Sequence, residues 1–517
     1  MSNWNQGYVT DIAYTQGYYH ELNPQRCHAS LLTAGWRLPD GLQDAPACEL
    51  GFGHGVSINV HAAATGQTWF GNDFNPAQTA FAQRLARASG APAHLSDEAF
   101  ADFCNRTDLP DFGFIGLHGI WSWVSDDNRR ILVDFIRRKL RVGGVLYISY
   151  NTFPGWSSMA PVRELMADYA TTMCAPGQGT IAQVDAALAF TQRLCATDPM
   201  FLRAHPTVTE RLKQMQGLSR NYLAHEYFNQ NWEPMSFAAL TRWLEPAKLT
   251  FAASAHYLDL QPGLNFSPAQ LALLQEQTDP TFRETVRDFL VNQQFRRDYW
   301  IKGAQRSTAS VLAEQQQAQT FLLVTPPAKI KFTAKTQIGE AQLTPAVYDP
   351  VVAELADHRA HTVGELWDRL QVRGAKISLA QLWEALVILT AKSDVTSVCT
   401  TPDEPVRATA RRFNERVCKQ APEGTQIGWL ASTVSGGAVS VARFDQVFLL
   451  AQAKQPNASP AELAQDAWAR LKADNQRLLR EGKPLLQEAE NLTELTRMAQ
   501  EFLGERSATL QRLGVHA

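Results

Sequence analysis

Between Ala47 and Tyr150 short apolar runs alternate with stretches of helical period. The runs predict strands at 47–50, 68–72, 93–95, 112–117 and 145–150. A parallel sheet with crossover helices produces this alternation, because its strands are covered on both faces. Ahead of the last strand, Ile131, Leu132, Phe135, Ile136 and Leu140 form one stripe at helical spacing. Gly143–Gly144 is expected to cap that helix, with the strand Val145–Tyr150 following at once.

From 158 to about 310 helical patterns dominate. Ser267-Pro268-Ala269-Gln270 reads as an N-cap, a proline at the first helical position and a capping-box Gln. Asp279-Pro280 opens another helix in the same way, and Thr325-Pro326-Pro327 marks a boundary. Lys329-Ile330-Lys331-Phe332 alternates as a strand does. Helical patterns follow at 347–356, 363–371 and 379–391, then a strand near 395–399, an order that suggests a winged-helix-like module. The last hundred residues read as helical, with a capping box at Ser459-Pro460-Ala461-Glu462 and a packing face of Leu463, Trp468, Leu471, Leu478 and Leu479. The fold class is therefore α/β: a doubly wound, mostly parallel, Rossmann-like sheet, then a mainly helical middle domain and a C-terminal helical and winged-helix-like module. The segments expected are 1–39 (closing segment), 40–157 (ligand-binding domain), 158–325 (middle domain) and 326–517 (C-terminal module).

The formal net charge of -3 and the lack of a basic stripe in the winged-helix-like region give no reason to expect nucleic acid. Seven scattered cysteines without a C-x-x-C pair argue against a metal site and for reduced thiols in a cytoplasmic protein. The N-terminus lacks a signal-peptide pattern, and no apolar run is long enough for membrane insertion. A homodimer is the assembly this reading allows.

Candidate chemistry starts at Glu49-Leu50-Gly51-Phe52-Gly53-His54-Gly55, which ends the first strand and opens a helix. A dinucleotide pyrophosphate would call for G-x-G-x-x-G. Here the spacing is G-x-G-x-G, Val56 stands at the next glycine position, and Glu49 precedes the loop. Three glycines, Gly51, Gly53 and Gly55, allow close backbone approach, and the carboxylate suits a cation and repels phosphate. The pattern matches class I methyltransferases, whose ligand is S-adenosylmethionine. Asp73 lies 24 positions after Glu49, at the carboxyl end of the second strand, where a carboxylate can accept two ribose hydroxyls; capping a turn is the alternative. Phe74 follows it on the same loop. Asp97, after the third strand, is the candidate acceptor for the adenine amine, with Ser96 and Glu98 as alternatives.

Leu117-His118-Gly119-Ile120-Trp121-Ser122-Trp123-Val124 follows the fourth strand. His118 and Gly119 fall at the ligand crevice, and His118 is a candidate proton acceptor or a structural histidine. Trp121 and Trp123 are candidate pocket walls, either of which could instead pack in the core, since alternate residues face opposite ways. After the fifth strand, Ser149-Tyr150-Asn151-Thr152-Phe153-Pro154-Gly155-Trp156 places Tyr150, Asn151 and Trp156 on the acceptor side.

The strings ELGFGHG, LHGIWSWV, SYNTFPGW and Asn221-Tyr222-Leu223-Ala224-His225-Glu226-Tyr227-Phe228 together resemble bacterial class I methyltransferases with a methyltransferase regulatory domain. Asp288-Phe289-Leu290, Gln294-Phe295-Arg296-Arg297 and Gly428-Trp429-Leu430-Ala431-Ser432 extend the resemblance over nearly the whole chain. The chain departs from the commoner pattern at Phe52 and Trp121. The resemblance implies S-adenosyl-L-methionine as cofactor and a protein acceptor, since members include lysine methyltransferases of outer-membrane surface proteins. Tyr8, Tyr14, Tyr18 and Tyr19 precede the catalytic domain and suit a segment closing over the donor, or anchors on its surface. Methylation of a small molecule or glycan, and a donor-binding scaffold without turnover, are the competing readings.

Overall fold

The computed structural model describes residues 7–12, 16–175, 177–336, 338–399, 403–424 and 427–517. Its centre is a seven-stranded sheet: β1 (Ala47–Leu50), β2 (Trp69–Asn72), β3 (Ala93–Ser96), β4 (Phe112–Leu117), β5 (Leu140–Asn151), β6 (Leu249–Ser254) and β7 (Phe295–Lys302). The spatial order is β3-β2-β1-β4-β5-β7-β6. β1 to β5 run parallel, and β7 is antiparallel to both β5 and β6. β1 and β4 are buried at every position, as strands covered on both faces must be. The strand order reverses between β1 and β4, which opens a crevice beyond their carboxyl ends.

The first five strands stand within a few residues of their expected places. One local expectation fails. The helix Asp126–Lys139 ends without help from Gly143–Gly144, because Leu140 is already extended. Both glycines lie inside β5, where pairing jumps from Phe112–Leu140 to Phe114–Val145 and Gly143 takes φ +78°. They bulge the strand instead of capping the helix.

The middle segment is mostly helical, but it also supplies β6 and β7, so the sheet is completed by residues far beyond 157. The capping boxes at Ser267 and Ser459 and the Asp279 cap form as expected. Lys329–Phe332 is not a strand: a 3-10 turn covers Pro327–Lys329, and the hairpin starts at Thr333. Helices Pro345–Glu354, Val363–Val372 and Leu379–Ala391 pack with a three-stranded antiparallel sheet of Thr320–Leu323, His361–Thr362 and Val395–Ser397. Strand Thr320–Leu323 precedes the expected boundary at 325. The last hundred residues are helices interrupted by two hairpins, Trp429–Ser440 and Leu479–Pro484, and Leu479 is exposed instead of packed. No described helix is long and apolar enough to cross a membrane.

The C-terminal module is part of the sheet's covering. The helix α1 (Val56–Thr65) is buried at every position from Val56 to Ala64. Its residues are apolar or small nearly all round, as a helix covered on both sides requires. Its inner side meets the sheet; helix Glu404–Cys418 and hairpin Trp429–Ser440 cover the rest. One hydrophobic cluster runs from Val60, Ala63 and Ala86 to Phe413, Leu430 and Phe448. Asn414, fully buried, ties the covering helix to the covering hairpin by accepting from the Ala431 N–H at 2.7 Å and donating to its carbonyl at 3.0 Å. Phe413→Ala is therefore expected to destabilise the fold by about 3–5 kcal/mol, and to lower a single unfolding transition that also disorders the sheet. Far-ultraviolet and tryptophan-fluorescence melts that separate into two steps would contradict the shared core.

Candidate active site

The crevice holds a cavity of about 490 Å³. β1 delivers Glu49 to it, and the three following glycines turn the chain into α1 with φ of +72° at Gly51, +57° at Gly53 and +64° at Gly55. A side chain at Gly51 would run into Ile120, and one at Gly55 into Ala82, whereas at Gly53 it would meet only Gln78 Oε1, at 3.9 Å. Gly53 thus exposes backbone to a ligand while its neighbours fix the turn.

Glu49 is buried, and its Oε2 has no hydrogen-bond partner. Burial, reinforced by Asp73, pushes its carboxyl up to about 8. Asp73 accepts from the Gly53 N–H at 2.8 Å and from the Asn75 N–H at 3.0 Å, tying the first two βα loops together. Asp73 therefore caps its own turn while lining the cavity. Burial raises it to about 6. Among the described residues neither carboxylate has an ion-pair partner. A cationic ligand with hydroxyl groups fits this pair: it would supply the missing positive charge, and a carboxylate oxygen retains lone pairs after one backbone bond. Phe74 lines the cavity beside Tyr8, edge to face at 5.8 Å.

Asp97 is not brought to the cavity. It is exposed and off the wall, where Ala99 and Phe100 stand instead. Its polar alternatives are engaged with each other, Ser96 donating to Glu98 at 2.6 Å. Beyond β4, His118, Gly119 and Trp123 line the cavity, but Trp121 does not. Residues 121–123 form a 3-10 turn, in which positions two apart project in different directions. Trp121 is fully buried in the core, with its indole N–H on Met235 Sδ at 3.1 Å and its ring edge to face with Trp243. Tyr150 is the second correction. Its hydroxyl donates to Asp298 at 3.0 Å inside the protein, so it cannot orient an acceptor. Its neighbour on the opposite face, Asn151, does line the cavity, with an unpartnered Nδ2. Trp156 also lines it.

His118 stacks on Tyr19 at 3.6 Å and shares a hydrogen bond with the Tyr147 hydroxyl through Nδ1 at 2.8 Å. Burial drives its pKa down to about 4, so the ring is neutral at neutral pH. Of the N-terminal tyrosines, Tyr8 and Tyr19 line the cavity, Tyr18 faces away against His61 and Trp429, and Tyr14 lies outside the described residues. The middle segment adds Arg211, Tyr222, His225, Glu226, Asn231, Gln294 and Phe295. These were not among the candidates, although Tyr222, His225 and Glu226 carried a signal: positions i, i+3 and i+4 share one helix face.

A family model described as "Predicted methyltransferase regulatory domain" matches residues 219–302. An uncharacterized protein of Synechocystis is 36% identical over 521 residues, covering 99% of each chain. Among solved structures, PKMT2 from Rickettsia typhi in complex with AdoHcy superposes with a TM-score of 0.69 over 97% of this chain and 99% of its own, at 14% identity. A second structure of PKMT2 from Rickettsia typhi superposes with a TM-score of 0.66 over 97% of this chain and 99% of its own, at 15% identity. The fold is that of a class I S-adenosylmethionine-dependent methyltransferase, extended by a methyltransferase regulatory domain. The chain belongs to one family with the Synechocystis protein.

The two tryptophans separate by assay. Trp121→Ala should lower stability by roughly 3–5 kcal/mol, while Trp123→Ala should chiefly weaken ligand uptake; the opposite pattern in melting and titration would reassign them. Ligand-free protein should also lose stability as pH rises. Glu49 is raised from 4.5 to about 8 in the fold, so its contribution is complete below 4.5 and gone above 8. In melting curves, Glu49→Gln should flatten that decline.

Proposed function

We propose that this protein transfers a methyl group from S-adenosylmethionine to lysine side-chain amines of a protein acceptor, of the surface or outer-membrane class. The observation that carries the donor half is the buried pair of Glu49 and Asp73, with no ion-pair partner among the described residues, beside the glycine loop on the cavity wall. The donor brings a methyl group on a sulfonium, together with an ammonium and a ribose. Glu49 answers the positive charge, Asp73 the ribose hydroxyls, Gly53 offers close backbone approach, and Phe74 and Tyr8 close over the nucleoside. PKMT2, of like fold, was solved with AdoHcy.

The acceptor half rests on the family resemblance and on the polar and aromatic groups at the far end of the cavity. An amine nucleophile must arrive without its proton, and a free lysine has a pKa of about 10.4. Burial among Trp123, Trp156 and Tyr222 would lower that value. His118 stays neutral, so it does not repel an ammonium, and Asn151 Oδ1 would accept from the amine N–H, orienting the nitrogen while its lone pair stays free. Tyr8 and Tyr19 exclude water from the chamber. Transfer by an in-line displacement then needs positioning more than acid–base strength.

Incubation with labelled donor and lysine-bearing surface proteins tests the reading: label should sit on lysine, and label that survives replacement of every acceptor lysine rejects it. Asn151→Ala should lower kcat by roughly tenfold to a hundredfold with little change in donor Kd. Donor binding should release a proton below pH 8, because a bound cation lowers the raised Glu49. Affinity should therefore strengthen from pH 6 to 8, and calorimetry in buffers of different ionisation enthalpy should show the proton release lost in Glu49→Gln.

A further inference from the structure

Among the described residues Arg211 is the only arginine or lysine on the cavity wall, and the reading of the donor end given above assigns it no role. It stands on the helix Pro206–Met215 with its guanidinium 4.2 Å from the Trp156 ring centroid. Nη1 donates to Gln294 Oε1 at 3.3 Å and Nη2 to the Tyr227 hydroxyl at 3.1 Å. Both acceptors are neutral, and no carboxylate among the described residues lies within ion-pair distance. A guanidinium has five N–H donors in a rigid fork. Two are spent here, so the fork is held in orientation while its charge and remaining donors stay available.

Position assigns this charge to the acceptor. Trp156 follows β5 and Gln294 precedes β7, whereas Glu49 and Asp73 end β1 and β2 on the other side of the crevice. Opposite charge lies close by. Burial raises the Tyr222 hydroxyl to about 12, Glu226 adds to that rise and Arg211 opposes it. Tyr222 thus sits in the fields of an anion and a cation, a wall suited to an acceptor bearing both signs.

We propose that Arg211 selects acceptors with a carboxylate close to the methylated nitrogen, in a protein an acidic side chain flanking the target lysine. This deepens, and rests on, the reading of the cavity as a protein-amine methyltransferase site. The fork would bind the flanking carboxylate in two parallel hydrogen bonds, leaving the amine to Asn151 and the aromatic walls.

Peptides with one lysine flanked by glutamate, alanine or arginine test this, alongside one ending in lysine. The wild-type protein should prefer the glutamate peptide over the alanine peptide by roughly tenfold in kcat/KM. Arg211→Lys should retain a smaller preference, and Arg211→Glu should invert it toward the arginine peptide. Equal rates in the wild type, an unchanged order in Arg211→Glu, or preference for the C-terminal lysine over the glutamate flank would overturn the proposal. So would a tenfold loss of S-adenosylhomocysteine affinity in Arg211→Lys, which would place Arg211 with the donor. Calorimetric binding of the same peptides to protein saturated with S-adenosylhomocysteine needs no turnover. If no peptide is labelled, the lysine reading falls, and the binding order alone decides the role of Arg211.

Discussion

Two buried carboxylates, at the ends of adjacent parallel strands and with no ion-pair partner among the described residues, are the constraint around which this molecule is arranged. Glu49 and Asp73 cannot both ionise cheaply in the ligand-free protein, and burial raises both. Such an arrangement is costly to maintain, and it persists because the surroundings over-determine it. Three glycines hold the first loop, and the Gly53 and Asn75 N–H groups hold Asp73. Strain and desolvation of this kind are the usual mark of a site shaped for what it binds.

The appended segments serve that site from several directions. The matched regulatory region, 219–302, supplies β6, β7 and the face carrying Tyr222, His225 and Glu226. Within it a buried charge cluster joins Arg296 to Asp288 at 2.6 Å, Glu284 at 2.9 Å and Asp298 at 3.0 Å. Tyr150 of β5 ties that cluster to the first five strands by donating to Asp298. Removing one charged member would leave an uncompensated buried charge.

The N-terminal segment links the opposite end of the chain to the cavity. Tyr18 packs on His61 and Trp429, the latter in the C-terminal hairpin, while the next residue, Tyr19, stacks on His118. Arg297 of β7 anchors the segment through Glu21 at 2.7 Å. Three distant stretches of sequence therefore meet at one short strap, and the wall of the cavity depends on all of them.

What the sequence determined by itself is what local periodicity and short-range geometry encode. Five strands, their crossover helices, the glycine loop, the carboxylates after β1 and β2, and the helix caps at Ser267, Asp279 and Ser459 all depend on residues a few positions apart. What only the tertiary structure decided is which face each aromatic presents and which remote segment completes the wall. Trp121 and Trp123 are indistinguishable by type, and a 3-10 turn sends one to the core and the other to the cavity. Tyr150 is claimed by a charge cluster 148 positions away, at Asp298. Arg211, Glu226 and Phe295 join the site only because the chain returns to the sheet at β7, a contact carried by long-range packing with no period along the chain to announce it.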